Sequence, residues 1–321
     1  MKILITGAAG FIGFNFSKFL LEKTNHKIIG IDNLNDYYSP QIKKKRLKVL
    51  KKFKNFYFLK LDIKNKKKLD LVFKKNINAI FHLAAQAGVR YSLKNPRSYV
   101  ENNILGFYNV LENSINNNVK KIFYASSSSV YGDSEKFPLT ENNFIYPKNI
   151  YGLTKKINEE ISNLTAINNK ISIVGLRFFT VFGEWGRPDM LIFRYLKSSF
   201  NKKEKFYLNN YGHHTRDFTY INDVNKILYH LLNKKHPIKH SVFNICSNNP
   251  IKITKILDLI DKITKKRPRI IKRSFQKADV LKTHGNNSLI RKYIKINKFT
   301  NIKTSISNTV EWYKKNWKIF I

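Results

Sequence analysis

TGAAGFIG, residues Thr6–Gly13, is the stretch on which the fold turns. It follows a short apolar run, Lys2 to Thr6, and leads into an apolar-rich segment of helix length, Gly10 to Glu22. Strand, glycine turn and helix in that order make the first βα unit of a dinucleotide-binding sheet. Gly7, Gly10 and Gly13 then serve the tight turn, the approach of backbone to a pyrophosphate and the packing of helix on strand, with Phe11 and Ile12 opening the helix. The helix N-terminus attracts the phosphates. The spacing G-x-x-G-x-x-G departs from the G-x-G-x-x-G fingerprint, so the surrounding chain decides its meaning.

The next strand-like run, Lys27 to Asp32, ends on a carboxylate about 20 residues beyond the glycines. There Asp32 can accept hydrogen bonds from an adenosine ribose and repel a 2′-phosphate, which favours NAD over NADP. The competing reading is a solvated turn residue before NLND. Asp62, at the end of the run that begins at Phe56, reads equally as a carboxylate at the adenine edge or as a helix cap. Further runs at Ala79 to His82, Lys121 to Ser126 and Ser172 to Arg177 alternate with helix-length segments, Pro96 to Asn117 and Asn149 to Ile167. This order predicts the α/β class, a doubly wound parallel sheet of Rossmann type with ligands at the carboxyl ends of its strands. Beyond Arg177 the alternation gives way to glycine, proline and aromatic loops such as VFGEWGRPDM, which predicts a smaller mixed α/β lobe. The expected division is residues 1–177, joined by parts of 215–246, and residues 178–321, with a cleft between lobes that share one core.

Composition narrows the class. Hydrophobic residues at 42% and aromatics at 14% belong to a globular chain. The longest apolar runs are strand-sized, so no membrane insertion is expected, and the N-terminus passes directly into the glycine turn without the pattern of a signal peptide. One cysteine, Cys246, excludes an internal disulfide and a multi-cysteine zinc site and suits a cytoplasmic location; no metal is expected. The net charge of +39 would attract polyanions. Its lysines are scattered among asparagines (KKK at 43–45, NKKK at 65–68, NKK at 201–203) with no nucleic-acid-reading motif, so no specific nucleic-acid partner is expected.

Two further stretches carry chemistry. YGLTK, Tyr151 to Lys155, places a phenol and an ammonium four residues apart on one helix face. The ammonium favours phenolate, so the phenol is expected to have a lowered pKa and to act as general base for an alcohol losing hydride. YASSSSVYG, Tyr124 to Gly132, reads as a linker, a nucleophile site or the polar end of a buried strand, and the preceding run VKKIFY favours the last.

TGAAGFIG, HLAAQAGVRYSL (82–93), SSSSVYG, YGLTK, LRFFTVFGEWGRPDM (176–190) and RDFTYIND (216–223) together resemble the extended short-chain dehydrogenase/reductase family, and within it the UDP-glucuronate 4-epimerases. The resemblance runs from Lys2 to the region of Asp279. It implies an NAD domain with a lobe for a UDP-sugar, and a homodimer. It implies that Tyr151 is the base, that Lys155 holds the nicotinamide ribose and tunes the tyrosine, and that Ser127, with Ser128 as second candidate, bonds the reacting hydroxyl. Ser126, Ser129 and Tyr131 are then left to satisfy local backbone and shape the pocket wall. Ala84 lies on the AAQAG loop that passes the cofactor, which His82 supports structurally.

Substrate contacts are expected from Arg90, Thr180, Arg187, Arg216 and Asp279. Thr180 and Arg187 would handle a sugar carboxylate, although Arg187 reads equally as a loop arginine paired with Asp189. Arg216 resembles a diphosphate-binding arginine; Gln276 stands where a second arginine is common, with Arg273 or Lys277 as substitutes. The serine run carries no carboxylate, which disfavours dehydration. Epimerisation at C4 of UDP-glucuronate is therefore expected, with a neutral-hexose 4-epimerase, a UDP-glucuronate decarboxylase, or a non-catalytic nucleic-acid-binding relative as the alternatives.

Overall fold

A computed structural model describes residues 1–201 and 203–320. Lys202, within the NKK stretch, and Ile321, the last residue of the second expected lobe, lie outside them. The chain begins with β1 (Lys2–Thr6), α1 (Phe11–Lys23), β2 (Lys27–Asp32), α2 (Pro40–Leu50), β3 (Phe56–Lys60), α3 (Lys66–Phe73), β4 (Ala79–His82), α4 (Tyr91–Lys94) and α5 (Pro96–Tyr99). A π-helical turn (Val100–Leu105), α6 (Gly106–Asn116), β5 (Lys121–Ser127), a 3-10 turn (Ser128–Tyr131), α7 (Ile150–Asn169) and β6 (Ser172–Phe178) follow. The remainder holds β7 (Thr180–Phe182), α8 (Leu191–Phe200), β8 (Phe206–Asn209), β9 (Thr215–Tyr220), α9 (Ile221–Asn233) and β10 (His240–Ile245). It closes with β11 (Pro250–Lys252), α10 (Ile253–Thr264), β12 (Ile270–Arg273), α11 (Ser288–Ile294) and α12 (Ile302–Asn316).

Every residue of β4 and β6 is buried, as strands covered by helices on both faces require. They belong to a seven-stranded sheet in the order β10-β6-β5-β4-β1-β2-β3, and its neighbouring pairs are all parallel. The order reverses between β1 and β4, where Thr6 lies in register with His82. That switch point opens a crevice outside the strand ends, flanked by the glycine turn and the loop after His82.

On one face of the sheet, Phe14, Phe16 and Leu20 of α1 pack with Ile3, Ile5, Phe81 and Phe123. The same cluster continues without a break through Val224 and Leu228 of α9 to Phe193, Ile256, Ile306 and Tyr313. The opposite face is filled by Phe107, Val110 and Leu111 of α6 against Leu4, Ile31, Ile80 and Ile122. The smaller part is mixed: β9 pairs parallel with β7 and antiparallel with β11, and β8 pairs parallel with β12. Of the stretch 215–246, β9 therefore lies in the small mixed sheet, while β10 extends the large sheet beside β6.

The segment expected as one helix from Pro96 to Asn117 is α5, a π turn and α6. The cause is Asn103, whose amide is turned inward to accept from Gln86 N (2.7 Å) and donate to Gln86 O (3.0 Å) and Thr154 Oγ1 (3.1 Å). One extra residue in the turn brings that side chain to the protein interior, a common use of π turns near functional sites. Among the described residues no helix is long and apolar enough to cross a membrane.

Candidate active site

The glycine turn has the geometry that its residues require. Gly7 has φ +70°, and a Cβ there would lie 2.8 Å from Ala84 N; a Cβ on Gly13 would lie 2.2 Å from Gly7 O. Larger residues would therefore push the helix away from the turn and from the neighbouring strand. Gly10 caps α1 without a side chain, and no acid occupies the first turn. The helix N-terminus is thus left to an anion. Asp32 accepts from Ala9 N at 3.1 Å and from Leu34 N at 2.8 Å. Burial raises its pKa, opposed by those backbone groups and by Lys43. Ala84 is tied to β1 by its N–H on Thr6 Oγ1 (3.0 Å), which also meets His82 Nδ1 at 2.9 Å. His82 is buried and its pKa falls to about 3 through burial, so its ring is a neutral strut beneath the loop.

At the far end of the same cleft stand the residues of β5 and α7. Asn149 caps α7, its side chain accepting from Gly152 N at 2.9 Å, and so fixes Tyr151 in the first turn. Ser127 ends β5, accepts from Ser129 N at 3.1 Å, and lies beside Tyr151, whose phenolate it favours. Lys155 Nζ donates to Ala125 O at 2.8 Å and lies 6.0 Å from the Tyr151 ring centre. Burial draws its pKa down to about 8, against the pull of Glu159.

The expected lowering of the Tyr151 pKa is reversed. Burial raises it, outweighing Ser127 and Arg187, which pull the other way. A phenol leaving water loses more stabilisation of its anion than one hydrogen bond and one nearby guanidinium restore.

Gly7, Gly10, Phe11, Ile12, Gly13, Asp32, Ala84, Ser127, Tyr151, Lys155 and Arg187 all line this one cleft. Asp62 lies just behind it, accepting from Asn33 Nδ2 (3.1 Å) and Lys64 N (2.9 Å), while the cap of α3 is Asn65. Arg187 is bidentate to Asp189 (3.0 and 2.5 Å), which also accepts from Tyr37 Oη at 3.2 Å. Ser128 opens the 3-10 turn, and Thr180 opens β7 in register with Phe218.

Arg90, Arg216 and Asp279 meet in a second group. Arg90 is bidentate to Asp279 at 3.1 and 2.5 Å. Arg216 donates to the carbonyls of Thr215, Val280 and Leu281. Burial lowers its pKa to about 10, opposed by Asp279. Gln276 enters through its carbonyl, which accepts from Asp279 N at 2.9 Å. Arg273 lies over the Tyr207 ring, 3.6 Å from its centre.

Several residues here escaped the sequence reading. Lys43 and Arg46 lie on the buried stripe of α2 together with Ile42, Leu47 and Leu50. Two cations at helical spacing within an apolar stripe were the available signal. Ser126 bonds a side chain rather than local backbone: its Oγ donates to Glu159 Oε1 at 2.5 Å. Glu159 is in turn bidentate to Arg177 at 2.9 and 2.7 Å, and Arg177 donates to Tyr131 Oη at 2.8 Å. Among the described residues no group of three or more His, Cys, Asp or Glu is placed to hold a metal ion.

A glycine turn with an open helix N-terminus at one end of a cleft and a Ser-Tyr-Lys group at the other are the arrangement of a dinucleotide-dependent enzyme of the short-chain dehydrogenase type. The chain belongs to the NAD dependent epimerase/dehydratase family, whose model matches residues 3–246. It is 38% identical to UDP-glucuronate 4-epimerase of Thermodesulfobacterium geofontis, covering 98% of this chain and 96% of that protein. It is also 38% identical to Protein CapI of Staphylococcus aureus, covering 99% and 100%. Among solved structures it resembles UDP-glucuronic acid 4-epimerase from Bacillus cereus in complex with UDP-glucuronic acid and NAD. The TM-score is 0.92 at 30% identity, over 98% of this chain and 99% of that one.

Proposed function

We propose that the protein interconverts UDP-glucuronate and UDP-galacturonate by inversion at C4, with NAD as a cofactor recycled in each turnover. The observation that carries this reading is the convergence of Ser127, Tyr151, Lys155 and Arg187 on one cleft that begins at the glycine turn. The turn, the uncapped α1 and the Asp32 carboxylate fit a dinucleotide without a 2′-phosphate. Bound NAD supplies an acceptor for the C4 hydride, a donor to return it, and positive charge beside the phenol.

Tyr151 takes the 4-OH proton as the hydride leaves C4, giving a 4-ketone, and returns the proton after the flat ring has turned its other face. Ser127 shares the reacting hydroxyl and keeps it in line with the phenol. Arg187 counters part of the burial of the phenolate, and the Lys155 ammonium, 6.0 Å from the ring centre, adds positive charge on the same side. Arg187 and Thr180 orient the C5 carboxylate so that its bond to C5 stays out of line with the carbonyl π system. Arg216 anchors the diphosphate, with Arg90, held by Asp279, beside it, so the ring can turn while the nucleotide stays.

The expectations of a homodimer and of a cytoplasmic location rest on the family resemblance and on the single cysteine. NMR of purified protein with UDP-glucuronate and no added cofactor tests the reading. A UDP-galacturonate signal is expected; UDP-xylose alone, turnover of UDP-glucose instead, or tight RNA binding without turnover would each overturn it.

A further inference from the structure

The loop that carries Arg187 has turns of its own, Gly186 N on Gly183 O (3.1 Å) and Met190 N on Arg187 O (3.2 Å), and is also held from outside. Trp185 has φ +59°, a left-handed conformation costly for a large residue. Its carbonyl and that of Gly186 point inward and are both taken by Arg46 NH2, at 2.5 and 3.3 Å. The other terminal nitrogen of Arg46 donates to Ala9 O (2.9 Å), inside the phosphate turn, and to Tyr38 Oη (2.8 Å). One guanidinium thus joins the seat of the cofactor phosphates to the loop that presents Arg187. Arg46 is completely buried, its Nε has no hydrogen-bond partner, and the groups it bonds are carbonyls and a phenol rather than a carboxylate. Such a buried cation is expensive, and an apolar residue would fill the same space at less cost.

We propose that Arg46 is a positioning residue that couples the phosphate turn to the carboxylate-handling loop. It sets the height of Trp185–Gly186, and so the direction from which Arg187 meets the sugar carboxylate. The proposal rests on the function proposed above, since it assigns the loop to that carboxylate. Asn15 Nδ2 on Glu184 O (3.2 Å) and Tyr37 Oη on Asp189 (3.2 Å) add lesser ties between the loop and the first lobe. Loss of Arg46 takes the guanidinium from three inward carbonyls, those of Ala9, Trp185 and Gly186, and frees the strained turn to relax. In the 4-keto intermediate a misdirected carboxylate can align with the ketone. The C5–carboxylate bond then breaks, its electron pair forms an enolate at C4, water protonates C5, and carbon dioxide leaves.

The test is Arg46→Met and Arg46→Lys in the NAD-loaded enzyme. For Arg46→Met the expected results are amide exchange at least about tenfold faster across 183–190, the effect of one unpaired buried group. The KM for UDP-glucuronate should rise by a similar factor, the Kd for UDP alone should change by less than about twofold, and carbon dioxide release should become measurable. Arg46→Lys, which keeps the charge but one donor group, should fall between, and it carries the same readouts if the methionine variant does not fold. Unchanged exchange and KM, or UDP binding weakened as much as KM, would overturn the proposal. Should the unaltered enzyme leave UDP-glucuronate untouched, the functional reading fails; the exchange comparison still decides whether Arg46 holds the loop.

Discussion

Lys155 is 1% exposed, yet its ammonium rests on one carbonyl oxygen, that of Ala125. Burial holds its pKa at about 8, against about 10.4 in an unfolded chain. Below pH 8 the lysine is charged in both states and the fold bears the full cost of burying it. Between about 8 and 10.4 the unfolded chain binds more protons, so stability rises with pH across that window. Lys155→Met removes this dependence: its stability advantage over the unaltered protein should be largest at pH 7 and shrink by pH 10, read by urea denaturation at both. A gap that does not change with pH would show that Lys155 is not desolvated. At this scale the sequence was informative where chemistry depends on local spacing: the glycines, Asp32, and Tyr151 with Lys155 on one helix face. The direction of the Tyr151 pKa was not legible, because burial is set by the tertiary fold around it. Nor was Arg46, whose partners at Trp185 and Gly186 lie far along the chain.

Among the elements, β5, β6 and α7 are joined beneath the site by Ser126, Arg177 and Glu159. The Arg177–Glu159 pair is buried, with side chains 5% and 6% exposed. Arg177→Met leaves a carboxylate buried with little but Ser126 to pair it, so a loss of about 3–5 kcal/mol is expected in urea melts. Changing Glu159→Gln in the same chain should restore part of that loss, because the unpaired charge is then gone. Equal losses in the single and double variants would mean that the packing of Arg177, not its charge, supports the sheet. The six strands from β1 to β6 were legible within about a residue because each is a short apolar run closed by turn residues, while β7 to β12 were not located. The π turn was not: Val100–Leu105 has helical periodicity, and the hydrogen bonds that distort it come from Gln86 and Thr154 on other segments.

Across the whole molecule, one apolar cluster runs from α1 through α9 into α12, so the large sheet and the smaller sheets share one core. The sequence located the parallel sheet and the loss of alternation after Arg177. It could not fix the strand order, because the return of β10 to the edge of β6 depends on contacts made only in the folded chain. The net charge of +39 opposes compaction through self-repulsion. Raising salt from 10 to 150 mM, which shortens the screening length to about 8 Å, should therefore raise the urea midpoint. The same salt should raise KM for an anionic nucleotide sugar. A midpoint that falls with salt would show that local ion pairs outweigh the net repulsion.

The central claim is that hydride leaves C4 and returns to C4 within one closed site. UDP-glucuronate carrying deuterium at C4, incubated in ordinary water with the NAD-loaded enzyme, tests this directly by NMR. The prediction is UDP-galacturonate that keeps its deuterium at C4, with conversion slowed about 10²–10⁴-fold in Tyr151→Phe. UDP-galacturonate with hydrogen from water at C4 would contradict it.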